Sequence, residues 1–148
     1  MAEKTSENLS QIERDAVKAR TKELREQAKA GKNREAGAKQ VQEAVAKLQG
    51  LDRQIAEAFV ALVGDVAPDL MPKTYYGFPA YANAAGKVVV FYQPASKFKT
   101  RYGTISFDES AHLDDGDTWP VSYAVVAWTP EVEKKITQLV KTAVAAPA

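Results

Sequence analysis

Two prolines divide this chain into a part that favours helices and a part that favours strands. No proline precedes Pro68, and residues 9–48 are rich in Ala, Lys, Glu, Gln and Arg, which are strong helix formers. Pro68 and Pro72 stop helical propagation, because proline lacks the N–H that the helical hydrogen bond needs. The segment after Pro72 should therefore be extended.

The first helix has signals for its beginning and its end. Ser10 is followed three residues later by Glu13, a spacing that matches a capping box at the start of a helix. Residues 31–33 are Gly-Lys-Asn, and glycine and asparagine are typical of helix ends. A second helix at 34–48 has a narrow apolar stripe formed by Val41, Val45 and Leu48. Such a stripe suits a partner-binding arm or, the interpretation we favour, a solvated helix packed loosely on its own domain. We assign residues 1–49 to a charged helical extension.

Residues 50–148 are expected to form an α+β domain. After Gly50, Asp52 is available to cap a helix, and Thr129-Pro130-Glu131 should begin the last helix with an N-cap and a proline at the first helical position. Both helices have one broad apolar face. The first face consists of Ile55, Phe59, Leu62, Val63 and Val66, and the second of Val132, Ile136, Leu139, Val140 and Val144.

Four strands are predicted between these helices, at 75–82, 87–93, 98–107 and 121–128, and residues 83–86 read as a hairpin connection. In a regular third strand, Lys99 and Arg101 would share a face with the apolar Ile105 and Phe107. Either Gly103 forms a bulge that turns the cations outward, or the cations line a cleft. The fold class is a two-layer α+β domain with a mainly antiparallel sheet of about four to five strands, preceded by the helical extension.

Composition excludes several classes of protein. The net charge of +1 offers no general attraction to nucleic acid or anionic membranes, and residues 51–148 carry more acidic than basic side chains. The absence of cysteine excludes disulfides, thiolate nucleophiles and thiolate-bound metal centres. No apolar run reaches the length of a membrane span, and the N-terminus lacks the apolar core of a signal peptide. We expect a cytoplasmic protein.

Three segments together resemble the YdhG-like family of bacterial domains of unknown function. They are Pro72 to Tyr81, which contains Tyr76-Gly77-Phe78-Pro79-Ala80, then Gly86 to Phe91 and Lys97 to Tyr102. The similarity spans about residues 50–145. It implies an α+β sheet domain without an agreed enzymatic activity. One branch of that family is described as a frataxin-like iron chaperone, although the long N-terminal extension departs from the shorter members.

The main functional hypothesis is a non-enzymatic binding protein. Aromatic walls desolvate a ligand while cations orient its phosphate or carboxylate, so a cleft of this kind suits a small anionic molecule or a partner segment. The candidate residues are Tyr75, Tyr76, Phe78, Tyr81, Lys97, Lys99, Arg101 and Tyr102. The alternative is a strand edge protected by lysines, with the aromatic residues in the core. The negative charge of residues 51–148 disfavours nucleic acid, and no cofactor is implied.

The acidic loop supports an alternative, a frataxin-like chaperone that binds iron weakly through carboxylate and imidazole ligands. The candidate ligands are Asp108, Glu109, His112, Asp114, Asp115 and Asp117. The position that an EF-hand loop would give to glutamate is Ser122, so calcium binding of that type is excluded, and an ordinary solvated loop is favoured. A third alternative is a protein interaction module that acts through the N-terminal helices. Hydrolysis is disfavoured, because the lone His112 lies among carboxylates and no Gly-x-Ser-x-Gly motif occurs.

Overall fold

The computed structural model describes residues 10–32 and 34–145. Three helices come first: α1 (Gln11–Lys32), α2 (Arg34–Ala46) and α3 (Gly50–Val66). The strands β1 (Met71–Tyr75), β2 (Phe78–Ala82) and β3 (Val88–Gln93) follow, then the short helix α4 (Ala95–Phe98), then β4 (Gly103–Phe107), β5 (Ser122–Val125) and the helix α5 (Pro130–Val144). The strands form one antiparallel sheet in the order β1-β2-β3-β4-β5. The predicted α+β class with N-terminal helices is confirmed.

Two predicted helix starts are confirmed, and one predicted cap is wrong. The Ser10 hydroxyl accepts from the Glu13 N–H at 3.1 Å, and Thr129 Oγ1 accepts from the Val132 N–H at 3.2 Å. Asp52 does not cap its own helix, which has Gln49 at the N-cap position without a side-chain bond. Asp52 instead accepts from the Ser96 N–H in the first turn of α4, at 3.3 Å. Leu9 and Asn33 lie outside the described residues.

The helix α2 belongs to the core and is not a loosely packed surface helix. Val41 and Val45 are buried in the same cluster as the sheet residues, and Leu48 packs against that cluster. Gly37 lies so close to β1 that a methyl group built on it would overlap the carbonyl oxygen of Pro72. The predicted boundary after residue 49 therefore lies within a single core. The narrow apolar stripe of α2 is enough to dock this helix on the sheet.

The segment predicted as one strand at 75–82 is a hairpin with a two-residue turn. Tyr76 and Gly77 have φ values of 50° and 80°, and Tyr75 pairs with Phe78 across the turn. Positive φ at both central residues matches the right-handed twist of paired strands, which is why such turns close tight hairpins. The second hairpin lies where the sequence predicts it, since the Asn83 side chain accepts from the N–H groups of Ala85 and Lys87.

The predicted third strand begins too early. Residues 95–98 form α4, Lys99 has a φ of 54°, and β4 begins only at Gly103. Lys99 and Arg101 thus lie in a loop, and the conflict between their charge and the apolar phase of β4 disappears. Neither a bulge nor a charged strand face is needed. Among the described residues, no helix is long and apolar enough to cross a membrane.

Substitution of Gly37 tests the contact between α2 and β1. We expect Gly37→Ala to lower the free energy of unfolding by about 1–3 kcal/mol, because the overlap with backbone at Pro72 outweighs the better helix propensity of alanine. Gly64 is the matched control, since a methyl group there meets nothing within 4 Å. Gly64→Ala should raise the free energy of unfolding by about 0.5–1 kcal/mol in urea denaturation. A stabilised Gly37→Ala variant would contradict the close approach.

Burial of the Tyr81 hydroxyl should make the free energy of unfolding fall at alkaline pH. Burial raises the pKa of its hydroxyl from 10.0 to about 12. Between these values the unfolded chain loses the proton while the folded chain keeps it, so stability falls as the pH rises. Tyr81 should contribute a loss of about 2–3 kcal/mol over this window, measured by urea denaturation at several pH values. Burial also raises the pKa of Tyr92, so part of the loss should remain when Tyr81 is replaced. Tyr81→Phe should reduce the loss, and an unchanged pH profile in that variant would contradict the assignment.

Candidate functional site

Strand register gives the sheet two different faces. Residues directly opposite one another on paired strands point to the same face, and the row Pro72, Tyr81, Val90 and Phe107 is buried. Helix α3 packs on this row, with the Phe59 ring centroid 5.8 Å from that of Tyr81. We call this the covered face.

The opposite face of the sheet is open to solvent in part. Its central row contains Lys73, Ala80, Phe91, Ser106 and Ser122 in register. Ala80 is buried under its neighbours, Lys73, Phe91 and Ser106 are half-buried, and Ser122 is exposed. We call this the open face. It combines aromatic, cationic and hydroxyl side chains, which a face packed on a core would not retain.

Three aromatic rings meet at the β1 side of the open face. The Tyr75 ring lies 5.0 Å from the Phe91 ring and 4.6 Å from the Tyr76 ring, measured between centroids. Tyr76 is 78% exposed although it occupies the strained left-handed region at the turn. Asn or Gly would adopt that conformation at lower cost, so an exposed tyrosine there is an outlier of the kind that clusters at functional positions.

These rings border a groove of about 490 Å³. Its charged lining residues are Arg20, Lys73, Lys87, Asp108 and Glu109. Tyr75 and Tyr76 form its aromatic wall, and we call it the tyrosine groove. Lys73 and Lys87 can orient an anionic group, while Asp108 and Glu109 can accept hydrogen bonds from hydroxyl or amino groups.

The environment of Tyr75 keeps its hydroxyl protonated. Partial burial raises the pKa of this group, and the neighbouring Tyr76 and the charge of Asp108 raise it further. A protonated phenol can donate a hydrogen bond to an anionic ligand. Tyr75 thus provides both an apolar ring and a donor at one place.

A second groove of about 490 Å³ lies on the other side of the β1–β2 turn. It is lined by residues of α2, including Lys47, together with Phe78, Pro94 and Lys97. The Lys97 ammonium donates to the Tyr76 carbonyl at 3.0 Å and lies 4.6 Å from the centre of the Phe78 ring. Lys97 therefore holds the turn and is already engaged by two groups, which makes it less suited to binding a ligand than Lys73 or Lys87.

The residues proposed for one cleft are divided among four places. Tyr75 and Tyr76 line the tyrosine groove, and Phe78 and Lys97 line the second groove. Tyr81 lies in the core, where its hydroxyl donates to the Val60 carbonyl at 3.5 Å. The remaining three residues, Lys99, Arg101 and Tyr102, lie in the loop before β4.

Sequence reasoning missed Lys73, Lys87 and Phe91 as neighbours of Tyr75. Lys73 and Phe91 flank Ala80 on the open face, and Lys87 precedes β3. The alternation of β1 could have placed Lys73 beside Tyr75. That inference requires β1 to end in a turn at Tyr76, whereas the sequence analysis predicts one continuous strand at 75–82.

The acidic segment is a loop anchored by backbone bonds and by two buried apolar side chains. The Asp108 N–H donates to Val89, the His112 N–H donates to Ala143, and Ala111 and Leu113 are buried. The candidate metal ligands Asp108, Glu109, His112, Asp114, Asp115 and Asp117 are all exposed. Within residues 10–32 and 34–145, no group of three or more potential ligands could hold a metal ion.

Comparisons with family models, with curated proteins and with solved structures found no match for the chain.

Substitutions at Tyr76 measure the strain at the turn. Tyr76→Asn and Tyr76→Ala both remove the exposed ring, but only asparagine readily adopts the left-handed conformation. We expect Tyr76→Asn to be more stable than Tyr76→Ala by about 1 kcal/mol in urea denaturation. The same pair of substitutions at Tyr102, another exposed tyrosine, should differ by less than about 0.5 kcal/mol. Equal stabilities of the two Tyr76 variants would contradict a strained backbone at this position.

Proposed function

We propose that this chain is a binding protein whose tyrosine groove holds a small anionic ligand with a planar or apolar part. The observation that carries the proposal is Tyr76, an exposed aromatic residue in a strained conformation at the rim of a groove that also contains Lys73 and Lys87. A turn selected only for stability would have asparagine or glycine at this position.

Each part of the groove has a separate role in this proposal. Lys73 and Lys87 attract and orient the anionic group, and Tyr75 and Tyr76 remove water from the planar part. Asp108 and Glu109 can accept hydrogen bonds from hydroxyl or amino groups of a larger ligand.

We further propose that the chain is a YdhG-like domain that acts in the cytoplasm, on the basis of the segments quoted above. A frataxin-like role would place weakly held iron on the exposed carboxylates of residues 108–117. The interaction-module alternative is supported by α1, where Ile12, Val17 and Leu24 are exposed. It predicts that replacement of these three residues by serine abolishes capture of a protein partner.

A titration with phenyl phosphate tests the tyrosine groove, because this probe combines a dianion with one aromatic ring. We expect shifts in backbone amide NMR signals at residues 73–76 and 86–88, measured at low salt so that the charges are weakly screened. Lys73→Ala and Lys87→Ala should each weaken binding about threefold, a magnitude typical of exposed charge pairs. Tyr75→Leu should also weaken it, whereas inorganic phosphate should bind less tightly than phenyl phosphate.

The matched control is Lys141→Ala, which removes an exposed lysine from the last turn of α5. Its affinity for phenyl phosphate should equal that of the unmodified protein. Equal affinity in the Lys73 and Lys87 variants would exclude the groove as the site. Ferrous iron, added without oxygen in a separate titration, distinguishes the frataxin-like alternative, which predicts selective broadening at residues 108–117.

A further inference from the structure

The tyrosine groove brings together three kinds of side chain. Aromatic rings, lysine ammonium groups and carboxylates all line it, from Tyr75, Tyr76, Lys73, Lys87, Asp108 and Glu109. A ligand such as phenyl phosphate uses the rings and the lysines but leaves the carboxylates without a role. A ligand that uses all three kinds of side chain must also contain hydroxyl or amino donors.

The two carboxylates are held at the end of β4 by backbone bonds. The Asp108 N–H donates to the Val89 carbonyl at 3.0 Å, and the Glu109 N–H donates to Asp108 Oδ1 at 2.8 Å. Both side chains are exposed. Because an ionised carboxylate has about four lone-pair sites, Asp108 can accept further hydrogen bonds from a ligand.

Asp108 lies near the aromatic wall of the groove. Its charge contributes, after partial burial and Tyr76, to the raised pKa of the Tyr75 hydroxyl. Such an effect falls with distance, so the carboxylate and the phenol are neighbours in the groove. The Tyr76 ring, whose centroid is 4.6 Å from that of Tyr75, is the exposed end of this wall. A planar group on Tyr76 thus brings its substituents toward Asp108.

A ribonucleotide has three parts that match these side chains. Its base stacks on aromatic rings, its phosphate binds lysines, and its ribose hydroxyls donate to carboxylates, a contact that recurs in nucleotide-binding proteins. The ribose joins the base to the phosphate, so all three parts lie within one small molecule. A groove of about 490 Å³ is within the size range of small-molecule sites.

We infer that the tyrosine groove binds a free ribonucleoside 5′-monophosphate, an inference that rests on the function proposed above and names its ligand class. The base stacks on Tyr76, and Lys73 and Lys87 bind the phosphate. The ribose hydroxyls donate to Asp108 and Glu109. A free nucleotide fits better than a strand, since residues 51–148 carry more acidic than basic side chains and would repel the additional phosphates.

Two ligands that differ only in their ribose hydroxyls test the inference. Adenosine 5′-monophosphate has both hydroxyls, and its 2′,3′-dideoxy analogue has neither. Both should shift the backbone amide NMR signals of residues 73–76 and 86–88, as expected for phenyl phosphate. We expect the ribonucleotide to bind about fivefold more tightly than the analogue, because the analogue cannot donate to the carboxylates.

Removal of the carboxylates should abolish this preference. Asp108→Ala and Glu109→Ala should each lower the ratio of the two affinities, and the double variant should bring it to about one. Glu109→Ala keeps the N–H that bonds to Asp108, so its effect does not come from a rearranged loop. The matched control is Asp117→Ala, which removes an exposed carboxylate further along the same loop and should leave the ratio unchanged.

Equal affinities for the two nucleotides in the unmodified protein overturn the inference, and so does a preference that the double variant retains. In either case, binding of phenyl phosphate at residues 73–76 would leave the proposed function standing. If phenyl phosphate and both nucleotides fail to bind, the proposed function fails as well. A single-stranded adenylate hexamer that binds more than about tenfold more tightly than the mononucleotide overturns the assignment to a free nucleotide.

Discussion

The turn at Tyr76 and Gly77 determines which face of the sheet each aromatic side chain of β1 and β2 occupies. The turn places Tyr75 directly opposite Phe78, and the same register places Pro72 opposite Tyr81. Because side chains alternate along a strand, a shift of one residue would move Tyr81 out of the core. The buried cluster around Phe59 and the open groove beside Lys73 therefore depend on the same two backbone conformations.

The turn is held by a chain of contacts that begins on a helix. Asp52 of α3 accepts from the Ser96 N–H and fixes α4. Lys97 on α4 donates to the Tyr76 carbonyl and lies over the Phe78 ring. The strained conformation of Tyr76 is thus supported from outside the hairpin, which is how strained positions persist in folded proteins. The same contacts occupy Lys97, so Lys73 and Lys87 are the lysines left to shape the tyrosine groove.

The sequence by itself determined the features that depend on neighbouring residues. Ser10 and Thr129 cap their helices because each hydroxyl accepts from an N–H three residues ahead. The helix α3 is predicted by apolar residues that recur at helical spacing. The hairpin at Asn83 is equally local, since one side chain accepts from two nearby N–H groups. These interactions span a few residues, so residue type and spacing are enough to infer them.

Only the tertiary structure decided which aromatic and charged side chains share a surface. Tyr75 and Tyr81 look alike in sequence, yet one lines a groove and the other is buried against Phe59. Lys99 and Arg101 were predicted in a strand and lie instead in the loop that follows a short helix, which Asp52 holds through the Ser96 N–H. Strand register and helix docking join residues far apart in the chain, and their free energy comes from packing that residue type and local spacing do not encode.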